Sequence, residues 1–183
     1  MIQIENLTKS FDGVPVLRGI SLSIADGEFV ALIGRSGYGK SVLLRHLAGL
    51  LRPDGGRVLV GGQEISSLRG RDLERLRARF GFVFQGGALF DSMSVFDNVA
   101  FPLREKTRLS EAEIAGKVRA ALDRVGLEGS EDKLPGQISG GMVKRAALAR
   151  ALVLQPEFLF FDEPTTGLDP LTAQGVLGLI AAC

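Results

Sequence analysis

Eight consecutive residues, Gly34-Arg35-Ser36-Gly37-Tyr38-Gly39-Lys40-Ser41, set glycines at the first and sixth positions ahead of Lys and Ser, the pattern of a loop that wraps a phosphate. Glycine lets the backbone turn its amides inward with no Cβ in the way. Lys40 brings a cation to the terminal phosphates, the Ser41 hydroxyl can ligate Mg²⁺, and the helix that follows adds the positive end of its dipole. Much later, the apolar run Phe158-Leu159-Phe160-Phe161 leads into Asp162-Glu163. An aspartate at such a strand end holds the Mg²⁺ that bridges nucleotide oxygens, and a glutamate one position on polarises an attacking water as general base. Between them, Ile138-Ser139-Gly140-Gly141-Met142 offers a hydroxyl and two glycine amides at a helix start. It reads either as a helix cap or as a second anion-binding surface.

These residues need elements to position them. Ile2, Ile4 and Leu7, then Leu17, Ile20, Leu22 and Ile24, recur largely by twos around Asp12-Gly13, which predicts two half-buried strands joined by a turn. The continuous apolar run Phe29, Val30, Ala31, Leu32 and Ile33 predicts a strand covered on both faces. It feeds the glycine loop, and a helix is expected over 41–49. Short strands are expected over 57–60 and 82–84, with an arginine-rich helix over 68–79 before the second. Ser94-Val95-Phe96-Asp97 and Ser110-Glu111-Ala112-Glu113 both read as capping boxes. The second opens a helix with Ile114, Val118, Leu122 and Val125 on one face and Gly126 as its stop. Another helix begins after Ser139 and ends before Pro156, and Asp169-Pro170 caps a last one. The pattern is an α/β sheet core interrupted by a helical insertion over 95–153.

The chain has 183 residues, 45% hydrophobic and 23% charged, with a net charge of +1. That suits one globular domain and excludes a disordered chain. The near-neutral balance gives no electrostatic footprint for nucleic acid. Arg69, Arg71, Arg75, Arg77 and Arg79 are interleaved with Asp72 and Glu74, which reads as a solvated helix with short-range ion pairs more than as a nucleic-acid patch. The one cysteine, Cys183, excludes an intrachain disulfide and suits a reducing compartment. No run reaches the ~18 apolar residues of a membrane helix, and the N-terminus, with Gln3 and Glu5, is no signal peptide. A membrane role is therefore expected through a partner. Glycine, 24 residues or about 13%, is nearly twice its ~7% average.

Phosphate loop, Gln85, Ser139-Gly140-Gly141, Asp162-Glu163 and Gly167-Leu168-Asp169, in that order, resemble the motifs of the ATP-binding cassette (ABC) ATPases across nearly the whole chain. The resemblance implies a P-loop NTPase (RecA-like) α/β core with an N-terminal antiparallel β subdomain and an inserted α-helical subdomain. It divides the chain into a nucleotide-binding core, 1–94 and 154–183, and a helical signature subdomain, 95–153. ATP and Mg²⁺ are the implied cofactors. Residue by residue, Gly34 to Ser41 resemble Walker A, and Phe11 resembles the aromatic that stacks on adenine, alongside its reading as an ordinary core aromatic. Gln85 resembles the Q-loop glutamine that touches Mg²⁺ or water, Ser139 to Met142 the signature, and Asp169 the D-loop aspartate. Ile138 and Met142 replace the commoner Leu and Gln there, while the serine and both glycines are intact. The implied catalytic set is Glu163, Gln85 and Lys40, and the implied metal ligands are Ser41, Gln85 and Asp162. Two cassettes closing head to tail around ATP imply a homodimer, bound to integral-membrane permease subunits at the cytoplasmic face of the inner membrane.

The run Gln85 to Arg104, with Tyr38 inside Walker A and 142–151 after the signature, closely resembles the Mla/MCE-type lipid transport ATPases. That implies lipid cargo and an MCE-domain carrier as a further partner. Ala88, Leu89, Phe90, Met93, Val95 and Phe96 suit either a groove for a partner helix or ordinary subdomain core. Importers of other substrates, a non-hydrolysing ATP-binding module and a soluble DNA-repair or translation ATPase are the alternatives. His46, the single histidine, stands too early to match the family's switch histidine. That residue lies in the family beyond the D-loop helix, on C-terminal strands that this chain is expected to lack. The expectation is that the 183-residue chain binds ATP and turns it over poorly, and that a full-length parent hydrolyses it.

Overall fold

The structure is a computed structural model and describes residues 1–35 and 37–183. The chain divides between Phe80 and Gly81 into two units. In the first, β1 (Ile2–Phe11) and β2 (Val14–Ile24) form the expected antiparallel hairpin, with Ile2 opposite Ile24 and Ile4 opposite Leu22. β3 (Gly55–Val60) adds to the other edge of β1, and β4 (Gln63–Glu64) pairs with β3. Alternation works as the sequence suggests: Ile2, Ile4, Leu7, Leu17, Val58 and Val60 are buried. The register slips at three places between β1 and β2, each an irregularity that breaks a strict period of two. Helix α1 (Lys40–Leu47) buries Leu43, His46 and Leu47, and α2 (Gly70–Arg77) buries Leu76. His46 lies within the core and shares a hydrogen bond of 2.7 Å from Nδ1 to the Val42 carbonyl, one turn back. Along α2, Arg75 meets Asp72 at 3.4 Å with both side chains well exposed.

One expected strand differs. Residues 28–35 take no regular structure, and Phe29 and Ile33 are 71% and 95% exposed. A continuous apolar run becomes a strand only when strands on either side accept its amides and carbonyls. None of the pairings among the described residues includes this run.

The second unit holds β5 (Phe80–Val83), which starts at the boundary and pairs with β6 (Phe158–Phe161). The helices α3 (Val95–Lys106), α4 (Glu111–Arg124), α5 (Gly140–Leu152) and α6 (Pro170–Ala181) surround one apolar core. That core includes Val95, Val99 and Leu103 of α3, Ile114, Val118 and Leu122 of α4, and Ala146, Ala147 and Leu148 of α5. The cap at Ser110 is a full box: its hydroxyl accepts from the Glu113 amide, and the Glu113 carboxylate accepts from the Ser110 amide at 2.8 Å. The cap at Ser94 is half of one. Its hydroxyl accepts from the Asp97 amide at 3.0 Å, but the Asp97 carboxylate takes the Ser94 hydroxyl and the Arg104 guanidinium instead of the backbone. Aspartate is one methylene shorter than the Glu or Gln that completes such a box. No helix among the described residues is long and apolar enough to cross a membrane.

Candidate functional site

In the first unit the glycine loop ends at Gly39, the N-cap of α1, with no side chain capping the helix. Gly39 has φ 84°, and a Cβ there would stand 2.9 Å from Val16 Cγ1, so conformation and space both require glycine. Lys40 Nζ donates to the carbonyls of Gly34 at 2.8 Å and Arg35 at 3.0 Å, closing the loop around its own ammonium group. Gly37 also has a left-handed φ, Tyr38 is exposed, and Ser41 sits half-buried in the first turn of α1. Ser36 lies outside the described residues. Phe11, at the end of β1, leaves 41% of its surface open, with the Lys9 ammonium 5.6 Å from the ring centroid.

In the second unit, the end of β6 and the loop after β5 bring three of the residues together. The Asp162 amide donates to the Val83 carbonyl at 2.9 Å, which extends the β5–β6 pairing to the buried Asp162. Glu163 follows with φ 46°, a left-handed turn that a non-glycine residue adopts at a cost. Its Oε2 accepts from Gln85 Nε2 at 2.8 Å and from the Thr166 hydroxyl at 3.0 Å. Both donors meet the same carboxylate oxygen.

Ser139 is the N-cap of α5 and accepts from the Met142 amide at 3.3 Å, with Gly140 and Gly141 opening the helix. A Cβ on Gly141 would stand 2.4 Å from Thr172 Cγ2, so glycine lets α5 and α6 approach. Asp169 caps α6 through the amides of Leu171 and Thr172. Hydrogen bonds from Thr172, hydroxyl first and amide second, hold its carboxyl below the ordinary carboxylate range.

Three residues inside the stretches that carry the lipid-transporter resemblance, but given no role of their own there, organise the loop after β5. Lys144, 6% exposed, donates through Nζ to the Gln85 carbonyl. Burial pulls its ammonium group below the ordinary lysine range, and the Glu163 carboxylate opposes that shift. Arg150 donates to the carbonyls of Ala88 at 2.7 Å and Gly87 at 2.8 Å. Asn98, buried in α3, accepts from the Phe90 amide at 2.8 Å and donates to the carbonyls of Phe90, Met93 and Ser94. Beyond that resemblance, the local signal for them in the sequence is two long cations and an amide on helix faces otherwise filled with Ala, Val and Leu. The apolar stretch that follows Gln85 serves two ends. Val95 is fully buried, whereas Phe90 stays 44% exposed and meets Phe101 edge-on at 5.0 Å.

Residues 17–166 match the ABC transporter family. The chain belongs to that family. It is 51% identical over 170 residues to the probable ribonucleotide transport ATP-binding protein Mkl of Mycobacterium leprae, a match covering 93% of this chain and 49% of that protein. It is 44% identical over 180 residues to the intermembrane phospholipid transport system ATP-binding protein MlaF of Haemophilus influenzae, covering 98% of this chain and 68% of that protein. Among solved structures it resembles the dimeric, post-hydrolysis state of the ATP-binding cassette MJ0796 bound to ADP and Pi. There the TM-score is 0.91 at 32% identity, over 98% of this chain and 81% of that one. The fold is that of an ABC cassette. The chain spans about half the length of the mycobacterial relatives it matches.

Proposed function

We propose that this chain is the ATP-binding and ATP-hydrolysing part of a transporter subunit, and that its cargo is lipid. The observation that carries the chemistry is Glu163 at the end of β6, oriented by Gln85 and Thr166. The residues present suit a nucleotide. The N-cap of α1 is a glycine, and Lys40 directs its ammonium into the glycine loop. ATP with Mg²⁺ would supply the phosphoanhydride bond and a divalent charge on its oxygens. In the first unit Lys40 and the glycine loop would hold phosphates, Phe11 would offer its open face to the base and Ser41 would be a metal ligand; in the second, Asp162 and Gln85 would be metal ligands. Glu163 accepts the proton of the attacking water at its carboxylate, and Gln85 orients that water. Ser139, Gly140, Gly141 and Met142 present the N-terminal end of α5 to phosphate on a second copy, with Asp169 at the seam between the copies.

Permease subunits and an MCE-domain carrier are the partners this reading requires, with the exposed Phe90 among the apolar groups offered to a permease helix. The similarity to MlaF and the Gln85 to Arg104 run support lipid as cargo. The test is Glu163→Gln in the intact protein. Steady-state phosphate release is expected to fall by about 10²–10⁴-fold, while ATP-dependent dimerisation, read by light scattering, persists. Undiminished turnover removes Glu163 as the base. For the cargo, phospholipid transfer between vesicles with the permease present is expected to depend on ATP, and ATP-driven uptake of a water-soluble solute instead would overturn the lipid assignment.

A further inference from the structure

Lysine is almost never buried without an anionic partner. Lys144 lies inside the second unit, where the Glu163 carboxylate favours its charge, but the group its ammonium donates to is neutral, the backbone carbonyl of Gln85. An apolar side chain of similar length would fill this space without the cost of burying a charge. The bond's value is therefore positional. Its surroundings agree: Val143, Lys144, Ala147 and Arg150 share one face of α5 at helical spacing. Val143 Cγ1 stands 2.9 Å from where a Gly87 Cβ would be, with Ala147 Cβ at 3.6 Å, and Arg150 takes the Gly87 and Ala88 carbonyls. The loop of 85–88 thus rests on the helix that Ser139 opens. Gln85 in turn donates its side-chain amide to Glu163.

We propose that Lys144 is a positioning residue that fixes Gln85 to the signature helix, so that a displacement of α5 at its Ser139 end is carried through Gln85 to Glu163. The inference rests on Glu163 being the base, and it adds a direct connection between the signature segment and that base within one subunit. A rigid helix transmits its motion to whatever is bonded along it, and a charge-assisted bond out of water resists slipping. Without the ammonium, the Gln85 carbonyl loses its anchor, and the side chain that orients Glu163 acquires slack.

The test compares Lys144→Met, which removes the donor at nearly constant length, with Lys144→Arg, which restores a donor. In the intact protein, Lys144→Met is expected to lower kcat about tenfold while the ATP dissociation constant stays within about twofold. Amide exchange over 85–88 should accelerate several-fold while exchange within α5 is unchanged, and Lys144→Arg should recover both. Unchanged kcat and unchanged exchange in Lys144→Met overturn the proposal. So does a matched loss of kcat, ATP affinity and melting temperature that Lys144→Arg leaves unrescued, since that describes a packing role. In the unmutated protein the Lys144 ammonium protons should be protected from solvent by NMR; free exchange there overturns the proposal even where Lys144→Met does not fold. Glu163→Gln in parallel separates the two readings. Full turnover in that variant defeats the hydrolytic assignment, while the exchange and ammonium measurements still decide whether Lys144 holds the loop.

Discussion

The loop ahead of α1 and the loop behind β5 are both glycine-containing and exposed in part, but they are held in opposite ways. The first is closed by Lys40, whose ammonium reaches back to the carbonyls of Gly34 and Arg35 within the same short segment. The second is held from outside, by Lys144 and Arg150 of α5 on the carbonyls of 85–88, and by Asn98 of α3 on the turn at 90–94. A loop closed by its own lysine can order further when a ligand takes over that cation. A loop bonded to a packed helix is ordered beforehand and moves only as the helix moves. The difference matches the roles proposed for them, one receiving phosphate and the other orienting the group that attacks it.

The sharpest way to break this comparison is Lys40→Met. Loss of a charge-assisted phosphate contact is expected to weaken ATP binding by about 100-fold by calorimetry. The melting temperature should stay within about 2 °C, because the Lys40 hydrogen bonds to the Gly34 and Arg35 carbonyls are exposed and local. A large fall in melting temperature would mean that this loop is structural after all. Arg150→Ala should do the reverse. Stripping a partly buried guanidinium from two carbonyls is expected to cost about 2 kcal/mol in denaturant unfolding and to leave ATP affinity in the first unit unchanged.

The smallest effect should come from a guanidinium contact made in the open. Arg104 joins Asp97 at 2.9 Å and Glu111 at 2.8 Å, with Asp97 43% exposed. Hydrogen bonds from Arg104 and then Ser94 hold the Asp97 carboxyl below its ordinary value. A carboxyl whose folded value is depressed stabilises the fold above its unfolded value, about pH 4, and that contribution disappears as pH falls through the folded one. Asp97→Asn should therefore cost less than about 1 kcal/mol at pH 7, with the gap to the parent closing below pH ~4. An equal cost at pH 7 and pH 2 would show that the carboxylate charge plays no part.

How far the sequence reaches is clearest at the helix starts. Ser94, Ser110, Ser139 and Asp169 each stand where a cap was expected, because a cap is decided by residues three apart in the chain. The helices behind them and the β1–β2 hairpin follow from periodicity in the same local way. The glycines at 34, 37 and 39, Lys40 and Ser41, the pair Asp162-Glu163 and the order of the motifs were likewise legible. Each motif is a short-range pattern, and their order along the chain determines the family. Tertiary structure decided what depends on neighbours distant in sequence. The run 29–33 carries every local mark of a buried strand, yet among the described residues nothing pairs with it, since a central strand is made by its neighbours more than by its own residues. Lys144 and Arg150 look like ordinary surface cations in a helix of small residues. Only folding brings them to carbonyls about 60 residues away, where partial shielding from water strengthens a charge-assisted bond to the backbone.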